Sequence, residues 1–221
     1  MKKYLTVIAL FLFAIAASAQ DAVMSTWPYL YPEFAQGTVM LKDGSQYENL
    51  LNIHLAKGRL HFIDGGLIKE VETKDIALAE LNGERFTALD GNVVKIAAGQ
   101  QNGYVAVRTY IDFQKLNETD GPYGTKVDTG ATLSVTAFEL TGVAGSYTEL
   151  LRGRNEGSQL PLKSDYYIVV AGKVLNASKK AVENSLDAAG KAAFKDYQKK
   201  NKIKWQEPES LLKLVDFLLN L

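Results

Sequence analysis

The chain has two histidines, His54 and His61, one on each side of a Lys57-Gly58 turn signal. Each sits in a run where apolar and polar residues alternate: Leu51-Asn52-Ile53-His54-Leu55-Ala56 before the turn, Arg59-Leu60-His61-Phe62-Ile63 after it. Such alternation marks a β-hairpin with one core face. A two-residue turn sets Ala56 opposite Arg59, Leu55 opposite Leu60 and His54 opposite His61. Leu51, Ile53, Leu55, Leu60 and Phe62 then form the core face. Asn52, His54, Ala56, Arg59, His61 and Ile63 form the other, mostly polar one. Two adjacent imidazoles supply two ligands of a zinc or copper site, which needs at least a third. Asp64 follows on the same hairpin, but its parity places it on the opposite face. The competing reading is a polar cross-strand pair on a solvated or partner-facing surface.

A second group of candidates is aromatic. In Trp27-Pro28-Tyr29-Leu30-Tyr31-Pro32-Glu33-Phe34 the two prolines favour an extended path. Trp27, Tyr29 and Tyr31 then share one side. They would serve as a platform for a sugar ring or a peptide, or as a strap over an open end of the core, since such rings bury large areas wherever they sit. Tyr166 and Tyr167 are a further aromatic pair suited to the same ligands.

The third group is cationic. From Lys173 to Lys204 there are nine lysines and three acids (Glu183, Asp187, Asp196), a net charge of +6. Lys191, Lys195 and Lys199 recur at i+4, one stripe of a helix, with Ala189, Ala193, Phe194 and Tyr197 on its core side. A stripe of this kind fits an envelope protein or another anionic surface, such as a lipid head group or an acidic polysaccharide. It also fits an ordinary solvated helix face.

Other chemistries lack their residues. With no cysteine among 221 residues, thiol catalysis, thiolate metal sites and lipid attachment at a cysteine are excluded. No G-x-S-x-G, P-loop or dinucleotide fingerprint is present. A carboxylate-pair hydrolase remains open, but nothing singles out two among 25 acidic residues. No cofactor is indicated. A hydrophobic content of 47% and a charged content of 23% are ordinary for a globular chain.

The N-terminus reads as an export leader. Lys2 and Lys3 precede an uncharged, mostly apolar stretch from Tyr4 to Ala17, and Ala17-Ser18-Ala19 is a small-residue cleavage site before Gln20. Residues 1–19 are therefore expected to be a signal peptide. Their removal leaves 202 residues with a net charge of −2, of which the part outside 173–204 carries −8. No later run reaches the roughly 18 apolar residues of a spanning helix, so no transmembrane span is expected in the mature chain. The strand-like runs are also short for an outer-membrane barrel. Export makes nucleic acid an unsuitable partner and points to a periplasmic, outer-membrane-associated or secreted protein.

The elements that position these residues follow from turn signals and periodicity. Between 37 and 113, apolar runs alternate with Asp43-Gly44, Lys57-Gly58, Asp64-Gly65-Gly66, Asn82-Gly83, Asp90-Gly91-Asn92 and Asn102-Gly103. This spacing predicts about seven sequential antiparallel strands and no parallel α/β sheet. Residues 114–131 are the least regular, with a turn cluster at Asp120-Gly121-Pro122-Tyr123-Gly124, and Ala131–Leu140 again resembles a strand. A short helix is expected at Tyr147–Leu151, and a hairpin at Tyr166–Ala171 and Lys173–Leu175. Three helices should follow: one capped by Ser178, one by Asp187, and one opened by Pro208 with a buried stripe of Leu211, Leu214, Val215 and Leu218. The expected fold class is α+β, an antiparallel meander (sheet, roll or open barrel) over 20–146. A hairpin and about three helices over 147–221 would be packed on it or joined to it.

The C-terminal pattern Tyr166-Tyr167, Gly172-Lys173, Ala177-Ser178-Lys179-Lys180, Lys199-Lys200-Asn201-Lys202-Ile203-Lys204-Trp205 and Leu211-Leu212 resembles that of uncharacterised secreted proteins of Bacteroidetes-type Gram-negative bacteria. The leader ending in Ala-Ser-Ala before Gln20 is similar to theirs. The resemblance implies an envelope location and carries no activity or site residue. The expected function is that of a non-catalytic exported protein that binds another envelope component. The alternatives are a carbohydrate- or peptide-binding module and a hydrolase, perhaps metal-dependent through His54 and His61.

Overall fold

Tight turns cut the first half of the protein into short antiparallel strands. The computed structural model describes residues 24–100, 102–120, 125–128, 146–154 and 159–221. The leader, most of the Asp120–Gly124 cluster and the strand expected at Ala131–Leu140 lie outside the described residues. After β1 (Met24–Ser25) come β2 (Ala35–Leu41), β3 (Gln46–His54), β4 (Arg59–Asp64), β5 (Leu67–Glu70), β6 (Ile76–Leu81), β7 (Glu84–Leu89), β8 (Asn92–Gln100) and β9 (Gly103–Ile111). The stretch read as seven strands thus holds eight. Asn82-Gly83, Asp90-Gly91 and, further on, Ala171-Gly172 all have positive φ at both positions. That is the conformation of the two-residue turns whose twist matches a hairpin.

The stretch expected to be irregular has local order at its start: α1 (Phe113–Asn117) and a small separate hairpin of β10 (Glu118–Asp120) and β11 (Lys126–Asp128). Then follow α2 (Tyr147–Arg152), the long β12 (Leu160–Val170), β13 (Lys173–Asn176), α3 (Lys179–Ser185), α4 (Ala188–Lys200) and α5 (Pro208–Leu219). The helix starts agree with their capping chemistry. Ser178 accepts from the Ala181 amide at 3.3 Å, Asp187 from the Gly190 amide at 2.7 Å, and Pro208 opens α5, where its missing N–H costs nothing. None of the described helices is long and apolar enough to cross a membrane.

Among the described residues, eleven strands form one open antiparallel sheet, ordered β1-β12-β9-β8-β7-β6-β2-β3-β4-β5, with β13 also on β12. The fold is α+β. The C-terminal hairpin continues the meander, because β12 pairs with β9 from Leu162↔Ile111 to Val170↔Gly103. The sheet is strongly curled. Four strands separate β4 from β8 in the order, yet the Val93 amide donates to the Gly58 carbonyl at 2.8 Å and Arg59 Nη1 to the Gly91 carbonyl at 2.7 Å. Gly58 is required there: its φ is +62°, and a Cβ would meet Asn92 Oδ1 at 2.7 Å.

The curl encloses two adjoining cores on its inner face. Val39, Leu51, Ile53, Leu60, Ala79, Leu81, Phe86 and Val93 fill one end. Val105 and Ile168 meet Val182, Phe194, Leu211, Leu214 and Val215 of the three helices at the other. Helix α5 sits close because β9 begins at Gly103, where a Cβ would lie 2.6 Å from Val215 and 2.7 Å from Leu219. Ala189, expected on the core side of α4, is exposed, while Phe194 is buried and Tyr197 stacks on Phe217 at 4.3 Å.

The β3–β4 hairpin departs from its expected form in two ways. Its turn has four residues, Leu55 to Gly58, closed by the Gly58 amide donating to the His54 carbonyl at 2.8 Å. The register is therefore His54↔Arg59, Ile53↔Leu60 and Asn52↔His61, shifted by two. A shift of two preserves both faces. The polar face, however, is not solvated: Asn52, His54 and His61 are all fully buried.

Leu214 is fully buried in the core that α5 shares with the sheet, so Leu214→Ala is expected to cost about 2–5 kcal/mol in urea unfolding. Lys213→Ala, on the exposed side of the same turn, should stay within about 0.5 kcal/mol. Equal losses for the two variants would show that α5 is not docked through this face.

Candidate functional site

The segment from Trp27 to Phe34 seals the outer face of β3 and β4. It runs beside β3, with the Leu30 amide donating to the Ile53 carbonyl at 2.9 Å and the Leu55 amide to the Pro28 carbonyl at 2.8 Å. Buried Asn52 fixes it. Its Nδ2 donates to the carbonyls of Tyr31 (2.8 Å) and Glu33 (3.0 Å), and its Oδ1 accepts from the Tyr31 amide at 3.1 Å. Helix α2 covers the same face, with Leu150 buried and Tyr147 edge-on to Phe34 at 5.4 Å. Arg154 then stacks over the Trp27 ring at 5.2 Å.

The two histidines lie beneath this cover. Their rings stack at 5.1 Å with 17° between planes, as diagonal neighbours of the shifted register. Stacked rings hold their lone pairs in parallel planes, which does not suit one shared ion. Among the described residues no group of three or more histidine, cysteine or acidic side chains is placed to hold a metal. Tyr29 Oη is 3.0 Å from His61 Nδ1, and His61 Nε2 faces the Glu70 carboxylate at 3.6 Å. The carboxylate favours a charged ring. Burial, and then the charges of His54, Lys57 and Arg59, disfavour it more strongly and hold His61 down to about 3 from an ordinary 6.5. Burial is decisive, because the ring is fully buried and the carboxylate lies beyond hydrogen-bond range. His61 is thus a neutral ring packed against Tyr29 and His54 in a buried polar cluster.

A different arrangement lies on the inner face, where the two cores meet around a cavity of about 360 Å³. Its apolar wall comes from Leu30 of the strap, Ile53 and Leu55 at the end of β3, Phe86 of β7, and Val93 and Val107 of β8 and β9. Pro208, at the start of α5, closes the helical side. Across the floor runs a line of polar side chains, one per neighbouring strand: Glu84 (β7), Lys95 (β8), Thr109 (β9) and Ser164 (β12). Lys95 Nζ donates to Glu84 at 2.8 Å, and Tyr31 Oη donates to the other oxygen of the same carboxylate. Thr109 and Ser164 share a hydrogen bond at 3.0 Å. Burial alone would raise the Glu84 carboxyl. The hydrogen bonds from Lys95 and Tyr31 and the Lys95 charge outweigh it and hold the carboxyl below its usual range. Desolvation and the Glu84 carboxylate raise the Tyr31 phenol. An apolar hollow with a few convergent polar groups is the usual form of a small-molecule site.

The sequence-derived candidates separate accordingly. Trp27 and Tyr29 point into the outer-face core, whereas Tyr31 turns inward to the cavity. Of the second pair, Tyr166 lines the cavity, and Tyr167 lies against Val94, Ala106 and Val169 on the outer face. Lys191, Lys195 and Lys199 are exposed along α4, and Lys199 pairs with Asp196 at 2.8 Å. Glu84, Lys95, Thr109 and Ser164 were not singled out by sequence. The signal was present: Lys95 falls on the inward parity of Val93-Lys95-Ala97, where an apolar residue is expected. A second hollow, a groove of about 480 Å³ on the outer face along Met40, Leu78, Arg85, Ile96 and Tyr104, is walled by the sheet alone.

The buried imidazole has a pH consequence. Unfolded His61 takes a proton near 6.5 and the native ring only near 3. Stability present above pH 6.5 is therefore lost as pH falls from 6.5 toward 3, by up to about 1.4 kcal/mol per unit. Urea midpoints for the native protein should fall more steeply over that window than those of His61→Phe; parallel slopes would contradict a neutral buried ring. Comparison with protein-family models, curated proteins and solved structures finds no match, so the functional reading rests on this geometry.

Proposed function

We propose that the protein is a non-catalytic, exported binding protein of the cell envelope that holds a small amphipathic molecule in the cavity between the curled strands and α5. The observation that carries this reading is the cavity: apolar side chains from the strap, β3, β7, β8 and β9 surround a single line of polar groups. Its volume, about 360 Å³, falls within the range of roughly 300–1,000 Å³ common to ligand pockets. The aromatic candidates support it in part, because Tyr31 and Tyr166 meet there although they come from distant parts of the chain. Hydrolysis through His54 and His61 has the least support, since both rings are sealed from solvent.

The direct check uses phenylnaphthylamine, a neutral dye that brightens in apolar surroundings. The native protein should bind it at one site per chain. Val107→Trp, which fills the cavity from a half-buried position, should weaken binding by at least about tenfold while leaving the melting temperature nearly unchanged. Equal binding by the filled variant, or no binding by the native protein, would contradict the proposal.

A second reading concerns a partner. The exposure of Lys191, Lys195 and Lys199 along one stripe of α4 supports contact between the basic 173–204 segment and an anionic surface of the envelope. Retention on phosphatidylglycerol vesicles should then fall sharply as salt rises, because the screening length drops from about 10 Å at 0.1 M to about 3 Å at 1 M. Lys191→Glu with Lys195→Glu should abolish it. Retention that ignores both salt and charge reversal would remove this reading.

A further inference from the structure

The polar line across the cavity floor is not balanced in hydrogen-bonding capacity. Glu84 already accepts from Lys95 on one oxygen and from Tyr31 on the other. The Tyr31 proton is therefore committed. Lys95 has three N–H donors and gives one to Glu84. Thr109 and Ser164 bond to each other, which leaves one hydroxyl proton of that pair undirected. What the floor offers to an incoming group is thus mainly donors, one of them charged.

Register places these donors together. Lys95 pairs with Val107, and Thr109 lies two residues further along β9 on the same face, directly opposite Ser164. Diagonal neighbours of this kind are about 7–8 Å apart, a gap that a long lysine side chain spans. A compact group with two acceptor oxygens would bridge from Lys95 to the hydroxyl pair. Val93, Val107 and Leu55 of the same lining are aliphatic and offer a hydrocarbon no polar partner.

Building on the cavity reading above, we infer that the ligand is a monocarboxylic acid with an aliphatic tail. Its carboxylate is held by Lys95 and the Thr109–Ser164 hydroxyls, and its tail lies against Leu55, Val93 and Val107. Glu84 acts as a positioning residue. It anchors the lysine beside the hydroxyl pair, and both of its carboxylate oxygens are already occupied by the hydrogen bonds from Lys95 and Tyr31.

The test displaces bound phenylnaphthylamine with decanoate, decanol and decylamine, which share a tail and differ in the head. Decanoate should displace the dye at a concentration at least about tenfold below that for decanol, and decylamine should be weakest. Lys95→Gln should cancel the difference between decanoate and decanol, and Thr109→Val with Ser164→Ala should reduce it without touching the ion pair. If the dye binds but the three heads compete equally, or the amine competes best, the carboxylate assignment fails while the cavity reading stands. If the native protein binds no dye, both fail together.

Discussion

The contact between the β3–β4 turn and the start of β8 sets the shape on which everything else depends. A sheet of this order would otherwise keep β4 and β8 far apart. The bonds from Val93 to Gly58 and from Arg59 to Gly91 bring them together. Once the sheet is curled, its inner face can bury side chains from opposite ends of the strand order in one core. Its outer face near β3 and β4 then needs a separate cover, because buried backbone and imidazole groups cannot be left to an apolar void. The Trp27–Phe34 strap and α2 supply that cover.

The cavity is a consequence of the same curl. The strand end fills with large aliphatic and aromatic side chains, and the helical end is filled by α3, α4 and α5. Between them, the strands carry a lysine, an acid and two hydroxyls in place of further apolar bulk. A charged pair at such a place adds little to stability, since Lys95 and Glu84 each keep more than a third of their side-chain surface in contact with solvent. Their position beside Thr109 and Ser164 in the cavity is what supports the proposed ligand site.

Much of the local structure was legible from residue types. Asn-Gly and Asp-Gly placed the tight turns, and Ser178, Asp187 and Pro208 placed the helix starts, because these signals act within a few residues. The β3–β4 hairpin shows where such reasoning ends. Lys57-Gly58 has the residues of a two-residue turn, but the positive φ of Gly58 closes a four-residue one, and the burial of Leu55 against Ile111 and Leu160 favours that longer loop. His54 and His61 read as surface residues because the segments that bury them lie far away in sequence. The cavity was hidden for the same reason. Its residues come from the strap, five strands and α5; Tyr31 and Tyr166 were singled out as aromatic candidates, while the inward parity of Lys95 was a signal that went unread.

A ligand held in the inner-face cavity must perturb the side chains that line it. The most direct measurement follows methyl resonances of isotope-labelled protein during titration with decanoate. Saturable shifts are expected at Ile53, Leu55, Val93 and Val107, with Val182 and Leu214 in the helical core unmoved. Shifts confined to Leu78 and Ile96 on the outer groove, or no shifts at all, would contradict it.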